Sequence, residues 1–224
     1  MSFEGFPDEA FRFYEGLCAD NTRAYWTDHR SVYDGCVKAP MEALLAQLEP
    51  EFGAATFFRP YRDVRFAKDK TPYKDHAAAV VKDDPSGRSA LYVQVGADGI
   101  YVGSGYFHTM TDQARRLRAA IAEDRTGRSL VRLLDALSAD GFETYGEQLK
   151  RLPKEYSPSH PRAALLHHKS LVAGKRSEPA EWMSTPECGE RIASMWRALL
   201  PLGRWLHKNV GPTTRPVGPH RGRR

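Results

Sequence analysis

Between residues 89 and 102 the hydrophobic period is that of a strand, and the chain turns back on itself within two residues. Leu91, Val93 and Val95 alternate with Tyr92 and Gln94, which places three aliphatic side chains on one face of an extended segment. Asp98-Gly99 follows, and both residues tolerate positive φ. Because Ile100, Tyr101 and Val102 resume the strand at once, the spacing predicts a two-residue type I′ hairpin. Residues 77–82 read as a further strand, residues 83–87 as the intervening turn, and Thr56, Phe57 and Phe58 as the start of the β-rich stretch. An antiparallel meander in the central third of the chain is the consequence.

Helical periods flank it. Pro7 and Asp8 offer a start for a first helix, in which Phe11, Tyr14, Leu17 and Cys18 share a face. Asn21 is the expected N-cap of a second helix, whose face is marked by Tyr25, His29, Val32 and Cys36. Pro40 should break or kink it before Met41, Leu44, Leu45 and Leu48 continue. After the strands, Thr111 or Asp112 caps a segment reaching Glu123, and Leu130, Leu133, Leu134 and Leu137 define another stripe. Residues 142–145 read as a short strand. Ser184 with Glu187 has the pattern of a capping box, ahead of a closing helix with Ile192, Met195, Trp196 and Leu199 inward and a kink at Pro201. Helices around a block of strands predict an α+β fold, an antiparallel sheet from the central third packed against N-terminal and C-terminal helices. A chain of 224 residues suits one such domain, over residues 1–210.

The net charge of +5 is concentrated at one end, where Arg215, Arg221, Arg223 and Arg224 meet no acid. Residues 211–224, punctuated by proline and glycine, read as a disordered basic tail. The remainder is close to neutral, which argues against a general polyanion binder. No apolar run approaches the roughly 20 residues a membrane helix needs. The first residues carry Glu4, Asp8 and Glu9 instead of a basic and then apolar leader, so a cytoplasmic protein is expected. Cys18, Cys36 and Cys188 are odd in number with no Cys-x-x-Cys pair, and read as reduced, mostly buried thiols. His160, His167 and His168 match no metal-ligand spacing, so neither metal nor cofactor is expected.

The densest chemistry runs from Arg59 to Lys74. There Arg59, Arg62, Arg65, Lys68, Lys70 and Lys74 meet only Asp63 and Asp69, with Tyr61, Phe66 and Tyr73 interleaved. Rings that pack hold neighbouring cations in place, and fixed cations select an anion. A pocket for a phosphate or carboxylate is expected, with Arg62, Arg65, Lys68, Lys70 and Lys74 as anchors and Tyr73 and Tyr106 as walls. The plainer reading is a charge network in which Arg62 with Asp63, and Lys68 and Lys70 with Asp69, neutralise one another and tie a loop to the sheet. Gly103-Ser104-Gly105 lacks the spacing of a phosphate loop and reads as a bulge or a close backbone approach. If the strand there faces the basic segment, Tyr106 and His108 share one face of it, and His108 becomes the best acid or base, with Asp63 the other proton-moving group. Arg23 and Trp26 read as a capping and packing pair. Arg115, Arg116 and Arg118 could form a phosphate face, although Arg115 and Arg116 are more simply solvent-facing. Two alternatives stay open beside ligand binding: an enzyme acting on the same ligand, and a nucleic-acid binder aided by the tail. Oligomeric state is not legible.

Arg62-Asp63-x-Arg65-Phe66-x-Lys68-Asp69-Lys70-x-Pro72-Tyr73-Lys74 resembles the signature of domain-of-unknown-function family 2461. Asn21-x-Arg23-x-x-Trp26 resembles that family's N-terminal motif, and Gly103-x-Gly105-Tyr106 with Leu117-Arg118 its central one. Leu152-Pro153-x-x-Tyr156-x-x-x-His160-Pro161, with Leu165, His168 and Lys169, resembles its last. The sequence departs from the pattern at Glu155, where glycine is usual, and at Ala67 and Thr109, where serine and proline are. The resemblance implies an α+β fold and carries no catalytic assignment.

Overall fold

The computed structural model describes residues 2–65, 68–82 and 90–214. Helix α1 (Asp8–Ala19) buries Ala10, Phe11, Phe13, Tyr14 and Leu17, and Asp8 and Glu9 complement the positive end of its dipole. Phe13 takes the place on that face expected for Cys18, which is exposed. Cys36 is half-buried, so among the three thiols only Cys188 is buried as expected.

Helix α2 (Arg23–Asp28) is capped by Thr22 and not by Asn21, since Thr22 Oγ1 accepts the Tyr25 N–H at 3.2 Å. The chain breaks at His29 (φ −107°, ψ 13°), resumes in the short α3 (Arg30–Val32), widens into a π turn over Tyr33–Lys38, and continues as α4 (Ala39–Phe52). The buried face is offset by one residue from the expected one, and the offset is present from Trp26 onward, before the break. Trp26, Tyr33 and Val37 are buried where Tyr25, Val32 and Cys36 were expected. Pro40 falls in the first turn of α4, where its missing N–H costs least. Met41, Leu44, Leu48 and Phe52 then complete the face.

The strands are β1 (Ala55–Phe57), β2 (His76–Val81), β3 (Leu91–Gly96), β4 (Gly99–Tyr106), β5 (Glu143–Tyr145) and β6 (Leu171–Ser177). They form one six-stranded sheet in the order β1-β2-β3-β4-β6-β5. β2 pairs antiparallel with β1 and β3, with Ala79 opposite Phe57 and Val93, and β5 pairs antiparallel with β6. Leu91, Val93 and Val95 are buried, as their alternation requires. The expected turn at residues 83–87 lies outside the described residues. Between β3 and β4 the turn differs from a type I′ hairpin, because Gly99 alone has positive φ (+93°) and no described non-glycine residue does. A Cβ at Gly99 would stand 2.1 Å from the Ser177 carbonyl oxygen, so the close approach of β6 also demands glycine there.

Four more helices follow: α5 (Thr111–Ala122), α6 (Asp124–Ala139), α7 (Ala163–Leu166) and α8 (Glu187–Asn209), the last preceded by a 3-10 turn over Glu181–Ser184. α5 is capped by Gln113, whose side-chain oxygen accepts the Met110 N–H at 3.0 Å, and not by Thr111 or Asp112. The Ser184 and Glu187 capping box does not form. Ser184 closes the 3-10 turn and donates to Asp8, while Glu187 holds Arg191. Pro201 lies within α8, which runs on to Asn209.

The chain divides into two compact units, one of Met1–Lys82, Leu91–Gly103 and Lys175–Ala198, the other of Asp83–Ala90, Ser104–Gly174 and Leu199–Arg224. In the first, Phe52 meets Trp196 edge-on at 5.2 Å, and the Trp196 indole N–H donates to the Tyr92 carbonyl. In the second, Leu117 and Ile121 of α5 and Leu130, Leu134 and Leu137 of α6 are buried with Leu166 and Trp205. Each buried leucine contributes about 1.5–3 kcal/mol. Arg162, 7% exposed, donates to the Ile121 and Ala122 carbonyls at the end of α5 and to Asp124 at the start of α6, which fastens that corner. The start of the expected disordered tail is held against the first half of α5: Arg116 donates to the Val210 and Pro212 carbonyls, and Asp112 accepts from Thr213 and Thr214. Residues 215–224, the rest of that tail, lie outside the described residues. Among the described residues, no helix is long and apolar enough to cross a membrane.

Candidate functional site

In the first unit the basic segment is a loop zipped at its base. The Arg62 N–H donates to the Pro72 carbonyl at 2.9 Å and the Lys74 N–H to the Pro60 carbonyl at 2.8 Å, pairing Tyr61 with Tyr73. Tyr73 is fixed from its other side. The Asn21 side-chain amide donates to the Tyr73 carbonyl at 3.0 Å and accepts the Tyr73 N–H at 3.1 Å, so one side chain serves the backbone as a paired strand would. The Tyr73 ring stacks on Trp26 at 4.3 Å between centroids and 8° between planes. Trp26, 4% exposed, also packs against Phe13 and Tyr33, and its indole N–H has no acceptor among the described residues. Two distant motifs thus meet at one tyrosine.

Beside Tyr73 lies a hollow of about 590 Å³ lined by Cys18, Asn21, Arg62, Asp69, Thr71, Tyr73, Lys74, Asp75 and His76. Of the residues singled out in the sequence, Arg62, Tyr73 and Lys74 are brought together here. Arg62 is held by Asp69 and by the Thr71 hydroxyl, and Asp69 in turn accepts the Thr71 N–H. That N–H, then Arg62, bring the Asp69 carboxyl down to about 2. Lys74 is half-buried, with its ammonium 5.1 Å from the centroid of Phe58, and it forms no ion pair among the described residues. Burial, and then the charge of Arg59, lower its pKa.

The other anchors lie outside this lining. Arg65, its side chain 77% exposed, grips Asp63 with two bonds, Nε to Oδ1 at 2.9 Å and Nη2 to Oδ2 at 2.7 Å. That grip holds the Asp63 carboxyl at about 2, and a carboxylate so acidic is a weak base. Lys70 donates to the Val64 carbonyl, and Lys68 is exposed. Phe66 lies outside the described residues. Much of the segment's charge is therefore spent inside the loop, but through Arg62 with Asp69 and Arg65 with Asp63 and not through the neighbouring pairs expected from the sequence.

His108 and Tyr106 belong to the second unit. β4 ends at Tyr106, so strand alternation does not carry on to His108, which is exposed. Gly105 has φ +140°, and a Cβ on it would stand 2.3 Å from the Leu171 carbonyl oxygen. The glycine-rich stretch is thus a close backbone approach, as expected. His168 is buried and held as the neutral Nδ1–H tautomer, because Nδ1 donates to the Ser170 carbonyl and Nε2 accepts from Gln148. Burial lowers its pKa. Among the described residues no three histidine, cysteine or carboxylate side chains are grouped to hold a metal ion.

Sequence reasoning passed over Asn21, Cys18 and His76 as parts of this lining. Asn21 and Thr22 are adjacent and both able to cap, so the cap could be assigned only once the partner of the other was visible.

The antiparallel sheet with its flanking helices defines an α+β protein. The chain belongs to the family of conserved hypothetical proteins DUF2461, which matches it over residues 9–205. No curated protein matches the sequence.

Proposed function

We propose that the protein binds a small polar ligand through a single phosphate or carboxylate, with Lys74 as the group that meets the anion. The observation that carries this reading is the ammonium of Lys74, drawn partly out of water over Phe58 and paired with no acid among the described residues. A cation in that position is under-compensated, and an oxyanion in the adjoining hollow would supply what is missing. Arg62 stands on the same lining, oriented by Asp69 and Thr71, with further donors on its guanidinium. Tyr73 supplies a wall made rigid by Trp26 and Asn21. Asp69 and Asp75 line the hollow as well, which disfavours a ligand carrying several negative charges and favours one anionic group on a neutral or cationic body. The pairing of Arg62 and Arg65 within the loop likewise leaves less free charge for a nucleic-acid backbone.

Inorganic phosphate titrated calorimetrically into the full chain tests this reading. A charge-assisted hydrogen bond is worth about 1.5–3 kcal/mol, so Lys74→Met should weaken phosphate binding at this hollow by roughly tenfold or more, while Lys74→Arg keeps most of it. Identical isotherms for wild type and Lys74→Met would refute the assignment.

A further inference from the structure

Two cations, two carboxylates and a histidine line the hollow beside Tyr73, and half of that charge is already engaged. Arg62 and Asp69 hold each other, and the Thr71 hydroxyl and N–H complete their set. Asn21 spends both ends of its amide on the Tyr73 backbone. Two opposite charges are left. Lys74 forms no ion pair among the described residues. Asp75, the next residue, has one contact, in which its Oδ1 accepts the His76 Nδ1–H at 2.6 Å, and its Oδ2 has no partner among the described residues.

These neighbours in sequence do not neutralise each other, although both reach the hollow. The chain bends at Asp75, between the bridge at Tyr73 and the first residue of β2, so strand alternation does not send the two side chains to opposite faces. The Asp75 carboxylate is also felt by Cys18 on the same lining: burial, and then the charges of Asp75 and Asp98, raise the thiol pKa. Lys74 is half-buried over Phe58, whereas the Asp75 side chain is 69% exposed. The cation therefore stands deeper and the free carboxylate nearer to water.

We infer that, if Lys74 meets the anion as proposed above, the ligand is a zwitterion: a small primary amine bearing one carboxylate or monophosphate, with its ammonium at Asp75. An ammonium carries three donors and no acceptor, so it suits an acceptor-only carboxylate with one oxygen unoccupied. Asp75 repels a ligand that is purely anionic and attracts one that carries a positive end, which makes it the residue that sets specificity. The Tyr73 ring, fixed by Trp26, is a wall for the few carbons between the two charges. A volume of about 590 Å³ accommodates a molecule of this size.

Calorimetric titration of the full chain with a matched pair of ligands tests this. O-phosphoethanolamine and ethyl phosphate differ only in the ammonium that replaces a hydrogen, and at about pH 8 both phosphates are ionised and the amine is protonated. At constant ionic strength the wild type should bind phosphoethanolamine about fivefold more tightly, the upper range for one exposed ion pair. Asp75→Asn keeps the shape and an oxygen for His76. That variant should bind ethyl phosphate more tightly than the wild type does, since a repelling charge is gone, and should lose the preference for the amine. β-Alanine against propionate makes the same comparison for a carboxylate, and the pair that shows the preference identifies the anionic group. Equal affinities within both pairs in the wild type, or a preference that survives in Asp75→Asn, would overturn the inference and leave the anion reading standing. Binding of none of the four would remove the anion reading, and this inference with it.

Discussion

Trp26→Ala should lower the stability of the protein by roughly 3–5 kcal/mol, the usual loss when a large buried aromatic is truncated. Trp26 is 4% exposed and touches Phe13, Tyr33 and Tyr73, so its removal opens a void with rings on three sides. The loss should exceed that of an ordinary core leucine because it propagates. Tyr73 would lose its stacking partner, and with it the support that aligns Lys74 and Arg62 on the hollow. Denaturant unfolding measures the first effect, and near-ultraviolet circular dichroism follows the stacked rings. Trp26→Phe should recover more than half of the loss, since it keeps a ring in the same place. A cost below about 1 kcal/mol for the alanine variant would mean that the aromatic cluster does not organise this end of the chain.

Gly105→Ala should be as damaging, for a different reason. At φ +140° an L-residue is strained whatever space surrounds it, and here the new methyl would stand 2.3 Å from the Leu171 carbonyl oxygen and 2.7 Å from the Val172 Cα. Backbone atoms of a paired strand cannot yield as a side chain can. A loss of about 3 kcal/mol or more is expected, enough to abolish soluble expression in a marginal protein. Gly103→Ala is the informative control. Its added methyl would meet chiefly the Tyr101 hydroxyl, the far end of a side chain able to move, so its cost should be near 1 kcal/mol. Equal melting temperatures for the two variants would contradict the close approach of β4 and β6 at Gly105.

The strands were the most legible part of the fold, because a period of two survives any rearrangement of their surroundings. Leu91, Val93 and Val95 are buried where alternation placed them. The second helical region was misread by one residue from its first turn, since adjacent Tyr25 and Trp26 are both large aromatics and periodicity alone does not say which of them faces inward. The hairpin at Gly99 was located correctly but given the wrong turn, as Asp98 keeps negative φ. At the site, residue types revealed which segment mattered but not which charges remain free. Arg62 and Asp69 are seven residues apart and pair across a loop, whereas Arg62 and Asp63 are adjacent and do not pair. Arg118 illustrates the same limit, for its burial follows from its place on the inner face of α5, which is not written in an arginine's own neighbourhood.

In the proposed role Lys74 awaits an anion, and the proton on its Nζ reports this directly. Burial and Arg59 favour the neutral amine, so in phosphate-free buffer Lys74 should titrate below the ordinary lysine value of 10.5. As pH falls through 10.5 the unfolded chain takes up its proton first, so folding stability drops between that value and the lower folded-state pKa, and stays reduced below it. A bound anion should reverse this. Side-chain NMR of the Lys74 Cε and Nζ resonances across a pH titration, with and without saturating inorganic phosphate, is the decisive measurement. A depressed pKa that rises when phosphate binds is expected. An ordinary lysine titration, indifferent to phosphate, would contradict it.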